Sequence, residues 1–107
     1  MNKKYKQLIK KHVDIIKSKY PELYIEVRMH WDEIFVSVSS LEISEEAEYE
    51  VLINDFIEEN DNKGFYNIFW GVNSSLTHDK LHLLEDDVKT PNNISKVSNK
   101  ASAKAYA

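Results

Sequence analysis

The hydrophobic period of this chain changes at a single proline. Upstream of Pro21, Tyr5, Leu8, Ile9, His12, Val13, Ile16 and Tyr20 recur at spacings of three and four, the stripe of an amphipathic helix over residues 2–19. Lys3, Lys6, Lys10 and Lys17 share the opposite stripe. Pro21 holds the residue before it out of the α region and so ends the helix. Downstream the period is two: Leu23, Ile25, Val27 and Met29 oppose Tyr24, Glu26, Arg28 and His30, as in a strand with one buried face. A helix stripe and a sheet face must be buried against each other, which directs the chain to a layered α+β fold.

A second alternation, Ile34, Val36 and Val38 against Phe35, Ser37 and Ser39, follows a tight link at Trp31 and Asp32, so a β-hairpin is expected. Ser44 is expected to cap a second helix, with Glu45 and Glu46 in its first turn at the positive end of the dipole. Its core face would draw on Ala47, Val51, Ile53, Phe56 and Ile57, and the cluster from Asn60 to Gly64 would stop it. Residues 65–72, rich in aromatic and β-branched side chains, read as a third strand. Residues 77–88 fit either a fourth strand through Leu81 and Leu83, which is preferred, or a short helix capped by Thr77.

The expected architecture is a two-layer α+β sandwich in the order α-β-β-α-β, then a strand or short helix. Its three- to four-stranded sheet would be mostly antiparallel, with two helices on one face. At 107 residues one domain is expected, over residues 1–88, followed by a basic Lys/Ser/Asn/Ala tail over 89–107. The far face of the sheet would carry Tyr24, Glu26, Arg28, His30, Phe35 and one of two aromatic pairs, Phe65 with Phe69 or Tyr66 with Trp70. That face is either a contact surface, a homodimer interface included, or covered by the chain beyond residue 73.

Charge is divided along the chain. Residues 1–20 sum to +6, residues 21–87 to −14 and residues 88–107 to +4. Residues 42–61 hold nine acids and no base. Such a run is either a solvated helix face or a surface spaced like nucleic-acid phosphates, able to occupy a basic groove on another protein. The absence of cysteine removes disulfides, thiolate metal sites and cysteine nucleophiles, and with no secretory h-region it points to a cytoplasmic protein. No stretch approaches the apolar length of a membrane span.

Catalytic constellations are thin. His78 and His82 would share a helix face and could, with Glu85 or Asp86, hold a metal, but the glutamate of a HExxH motif is missing; no metal and no cofactor is expected. His30 beside Asp32 and Glu33 has the look of a solvent-facing turn, no serine lies in a GxSxG elbow, and two glycines make no phosphate loop. The expectation is a non-catalytic module whose work is a protein contact through Glu45, Glu46, Glu48, Asp55, Glu58 and Glu59. Thirteen lysines against one arginine, with nine asparagines, suggest an AT-rich coding sequence and hence a phage or mobile-element inhibitor of a host nucleic-acid-handling protein. Reversal of Glu45, Glu48 and Glu59 to Lys is then expected to abolish binding and spare the fold. The alternative is a nucleic-acid-binding accessory protein using Lys3, Lys6, Lys10, Lys17 and the tail.

Overall fold

The computed structural model describes residues 1–85. The basic tail, the domain boundary at residue 88 and Asp86 lie outside the described residues. The element order is α1 (Lys3–Lys19), β1 (Ile25–His30), β2 (Glu33–Val38), α2 (Leu41–Ser44), α3 (Ala47–Asn62) and β3 (Ile68–Val72), followed by a 3₁₀ turn at His82–Leu84. This is a small α+β fold.

Asn2 begins α1 by accepting a hydrogen bond from the Lys4 amide (2.8 Å), and the helix stops at Tyr20, one residue before Pro21. Leu8, Ile9, His12, Val13 and Ile16 are its buried stripe. Trp31, first of the two residues between β1 and β2, takes φ 60°, the positive value that a two-residue hairpin turn demands.

The sheet order is β1-β2-β3. β1 and β2 pair antiparallel, with Ile25 opposite Val38, Val27 opposite Val36 and Met29 opposite Ile34. β2 and β3 pair parallel, with Ile34 beside Ile68, Val36 beside Trp70 and Val38 beside Val72. The sheet is therefore mixed rather than mostly antiparallel. The physical reason is the connection: a parallel neighbour needs a crossover, and α2 and α3 supply it.

Both long helices lie on one face. His12 of α1 and Phe56 of α3 each meet Trp70, at ring-centroid distances of 5.9 and 5.5 Å, and Trp70 shares its face with Val36 and Val27. Ile9, Ile16, Ile25, Val36 and Val38 are fully enclosed there. Each such side chain contributes about 1.5–3 kcal/mol relative to exposure.

The second helix begins differently from expectation. Ser40 caps α2 by accepting from the Ile43 amide (3.1 Å), whereas the Ser44 hydroxyl donates back to the Leu41 carbonyl (2.6 Å) and so caps nothing. α3 starts after Glu46 without a side-chain cap. It ends in a Schellman motif: the Phe65 amide donates to the Asn60 carbonyl (2.8 Å), the Gly64 amide to that of Asp61 (3.1 Å), and Gly64 takes φ 82°.

Residues 73–80 run from β3 back to β1 on the face opposite the helices. Asn73 donates to Glu26 (3.2 Å), Leu76 is buried apart from the main core, and Lys80 pairs with Glu26 as an isolated parallel bridge. The fourth strand is thus reduced to one bridge, and the helical alternative to the 3₁₀ turn after it. The far sheet face is covered at Glu26 and Ser37, both buried, and open where Phe35 stacks on Phe69 (5.5 Å) with Arg28 over the Phe35 ring (5.3 Å).

Candidate interaction surface

α3 buries Tyr49, Ile53, Phe56 and Asn60. Ala47 and Val51 are not part of its core face: Val51 is 60% exposed, and Ile57 lies at the margin. At 3.6 residues per turn the positions 49, 53, 56 and 60 form one stripe, with Tyr49 and the polar Asn60 taking places that apolarity alone assigned elsewhere.

This rotation distributes the acids. Glu48 and Glu59 turn toward α1, Asp55 and Glu58 lie on the outer face with Val51, and Glu50 and Asp61 turn toward β3. Glu45 and Glu46 lie exposed in the link between α2 and α3. Among the described residues, no lysine, arginine or histidine forms an ion pair with Glu45, Glu46, Glu48, Glu50, Asp55, Glu58 or Asp61. The negative potential of α2 and α3 acts on its surroundings: Glu48 and Glu46 help to raise the Tyr20 hydroxyl pKa, after desolvation, which is the main cause.

Glu59 is different. Its carboxylate accepts from Lys11 (2.6 Å), Lys63 (2.9 Å) and His12 (3.1 Å) and is 27% exposed. The hydrogen bond from Lys11, then those from Lys63 and His12, hold its pKa down to about 2. His12 is fully enclosed and stacked on Phe56 (4.0 Å, 12°). Burial lowers its pKa despite the neighbouring carboxylate, so the neutral ring donates Nε2–H to Glu59 and leaves Nδ1 without a partner among the described residues. Glu59 thus ties α3 to α1, and reversing it would strike the fold as well as the surface.

The lysines of α1 are also partly committed. Lys6 reaches the Glu85 carbonyl (3.1 Å), and Lys17 reaches the Leu23 carbonyl (2.7 Å) and Asp79 (3.2 Å). Both flank the buried stripe, where a long side chain can lay its stem on apolar surface and end on a polar group. Lys3 and Lys10 remain solvent-facing. His78 and His82 border one hollow of about 340 Å³ with Glu26, Asp79 and Glu85, yet among the described residues no three His, Asp or Glu side chains converge closely enough to hold a metal ion. No helix among the described residues is long and apolar enough to cross a membrane.

A further site was not apparent from sequence reading. Two adjoining hollows, of about 490 and 390 Å³, run between α3 and the outer edge of β3 and share Ile53 and Trp70. Glu50 and Asn54 border the first, Ile57, Asn60 and Asp61 the second. Phe69, 42% exposed, and Tyr66 stand at the rim. The only signal in the sequence is angular: Glu50, Asn54, Ile57 and Asp61 form a stripe of their own once the core stripe is placed on Tyr49 and Asn60. Comparison with protein-family models, curated proteins and solved structures finds no match to this chain.

Proposed function

We propose that the protein is a non-catalytic protein-binding module that presents the carboxylates of α2 and α3 to a basic surface of another protein. The observation that supports this reading is the lack of compensation: Glu45, Glu46, Glu48, Asp55 and Glu58 are exposed and form no ion pair among the described residues, while Lys6, Lys11 and Lys17 of α1 are committed to other contacts. Clustered like charges destabilise a compact state unless a partner uses them. A phosphate-binding groove of a nucleic-acid-handling protein is the partner class whose charge is complementary, and occupying that groove would inhibit it. The engagement of Lys6 and Lys17 weighs against the basic helix as a nucleic-acid-binding face.

The test is affinity capture from host lysate with nuclease treatment in parallel, comparing the natural chain with a Glu45→Lys, Glu48→Lys, Glu58→Lys variant. Glu59 is left unchanged because of its contacts with Lys11, Lys63 and His12. A protein retained through nuclease treatment and lost with the variant is expected. Retention that the variant does not alter, or that nuclease abolishes, would overturn the reading.

A further inference from the structure

Resting on the reading above, the geometry points to a specific mode of docking: we infer that the outer edge of β3 accepts an extended basic segment of the partner as an additional strand. In the parallel ladder the Asn67 carbonyl accepts from Ile34 (2.9 Å) and the Asn73 amide donates to Val38 (2.9 Å). By alternation, Phe69 and Gly71 also direct their amide and carbonyl groups to β2, and Ile68, Trp70 and Val72 direct theirs away from it. Among the described residues nothing pairs with those outward groups. An unpaired row of this kind is a template for strand addition.

Among the described residues, two buried polar atoms beside that edge also lack partners. Asn60, only 2% exposed, has no donor to its Oδ1, and Trp70 Nε1 has no acceptor; both residues line the hollow between α3 and β3. A buried polar group without a partner costs free energy, and an incoming chain that supplies one removes the cost. The charge around the hollow selects the occupant. Glu50 and Asp61, eleven positions apart on α3, are roughly 16 Å apart along its axis, about the length of the five-residue β3. A carboxylate therefore stands at each end.

An added strand places alternate side chains toward the hollow and toward Phe69. Arginine on the hollow side lays its stem on Trp70 and Ile57, carries its guanidinium to Glu50 or Asp61, and offers N–H donors to Asn60 Oδ1. Apolar residues at the intervening positions meet Phe69, which stacks on Phe35. A second copy of the chain is a poorer occupant. Antiparallel pairing of two β3 edges would bring Glu50 of one α3 near Asp61 of the other.

The experiment uses the full chain, ¹⁵N-labelled, titrated with a capped synthetic peptide of alternating arginine and valine. A peptide of equal charge with proline in place of valine serves as the control, since every second N–H is gone and the fixed proline φ holds the chain away from a pleated strand. Binding is expected to slow amide exchange at Ile68, Trp70 and Val72 and leave Phe69 and Gly71 unchanged. Val72→Pro and the Glu50→Lys, Asp61→Lys pair are each expected to weaken binding about tenfold, and Glu45→Lys with Glu58→Lys less than about threefold.

Equal binding of the proline peptide, no protection at the three amides, or unaltered binding by Val72→Pro would overturn strand addition. So would dimerisation of the free chain with the same amides already protected. Loss of binding on reversing Glu45 and Glu58 but not on Val72→Pro would overturn strand addition while leaving the acidic-surface reading in place. Failure of that reading would appear separately, in the lysate capture.

Discussion

One sheet carries two edges that the chain treats in opposite ways. At β1, residues 79–80 close the edge: the Lys80 amide donates to Ile25 (2.8 Å), the Val27 amide donates to Lys80 (3.0 Å), and Asp79 accepts from the Ile25 amide (2.9 Å) while binding Lys17. At β3 the described residues supply no such cover, and α3 sets carboxylates beside it. Charge next to an edge blunts pairing between like chains and leaves the edge open to a chain of opposite sign. Closure at one side and charge at the other are two solutions to the same exposed backbone.

The largest effect that can test the comparison comes from proline placed along β3. Phe69→Pro deletes an amide directed into β2 and is expected to cost ~3 kcal/mol or more, whereas Val72→Pro deletes an outward amide and is expected to cost under ~1 kcal/mol. Urea denaturation of the two variants checks it. Equal costs would mean that β3 does not direct the Phe69 amide toward β2 and the Val72 amide away from it.

Opening the closed edge comes next. Asp79→Ala leaves the Ile25 amide without its side-chain acceptor and releases Lys17, for an expected loss of about 1–2 kcal/mol. Faster amide exchange should appear at Ile25 and Lys80 before it appears in β2. If exchange at Lys80 is unchanged, the bridge to β1 does not depend on Asp79.

Much of this was legible in the sequence, for identifiable reasons. The period change at Pro21 placed α1 and β1, and the alternation from Ile34 to Val38 gave β2 the correct inward side. β1 departs from clean alternation, since Met29 is 40% exposed and Glu26 is buried where Asn73 and Lys80 meet it. The parallel pairing was missed, although the long segment between Val38 and Ile68 is the length a crossover needs. The cap at Ser40 was missed because Ser44 stands before the acids and looks equally suitable until its hydroxyl is seen bonding to Leu41. The candidate site suffered most. Reading carboxylates as a linear run cannot show that Glu59 is held by two lysines and a neutral histidine, nor that Glu50 and Asp61 face β3, because both depend on which stripe of α3 is buried.

Acid should separate the committed carboxylate from the free ones. Glu59 has its pKa lowered from 4.5 to about 2, so its contribution to stability is fully present above about 4.5 and is lost as pH falls toward 2. His12, also lowered, adds an earlier loss beginning below 6.5, where the unfolded chain takes up a proton that the enclosed ring resists. Glu59→Gln is expected to cost about 1 kcal/mol at neutral pH, since the two lysines it binds are half exposed, to flatten the lower limb, and to deepen the upper one, because the carboxylate that raises the His12 pKa is gone. Thermal melts between pH 7 and 2 measure both limbs. An unchanged lower limb would remove Glu59 as the tie between α1 and α3.

The smallest effect concerns the carboxylates proposed to meet a partner. Because Glu45 and Glu58 touch no cation among the described residues, reversing both to Lys removes repulsion and no contact, and is expected to change stability by no more than about 0.5 kcal/mol, in the stabilising direction. Added salt should raise the melting temperature of the natural chain and do so less in the variant, since screening and charge reversal relieve the same repulsion. Melts at low and moderate salt decide it. A variant that is destabilised, or that retains the full salt response, would show these carboxylates to be part of the fold's internal electrostatics, as Glu59 is, and not a surface held in reserve.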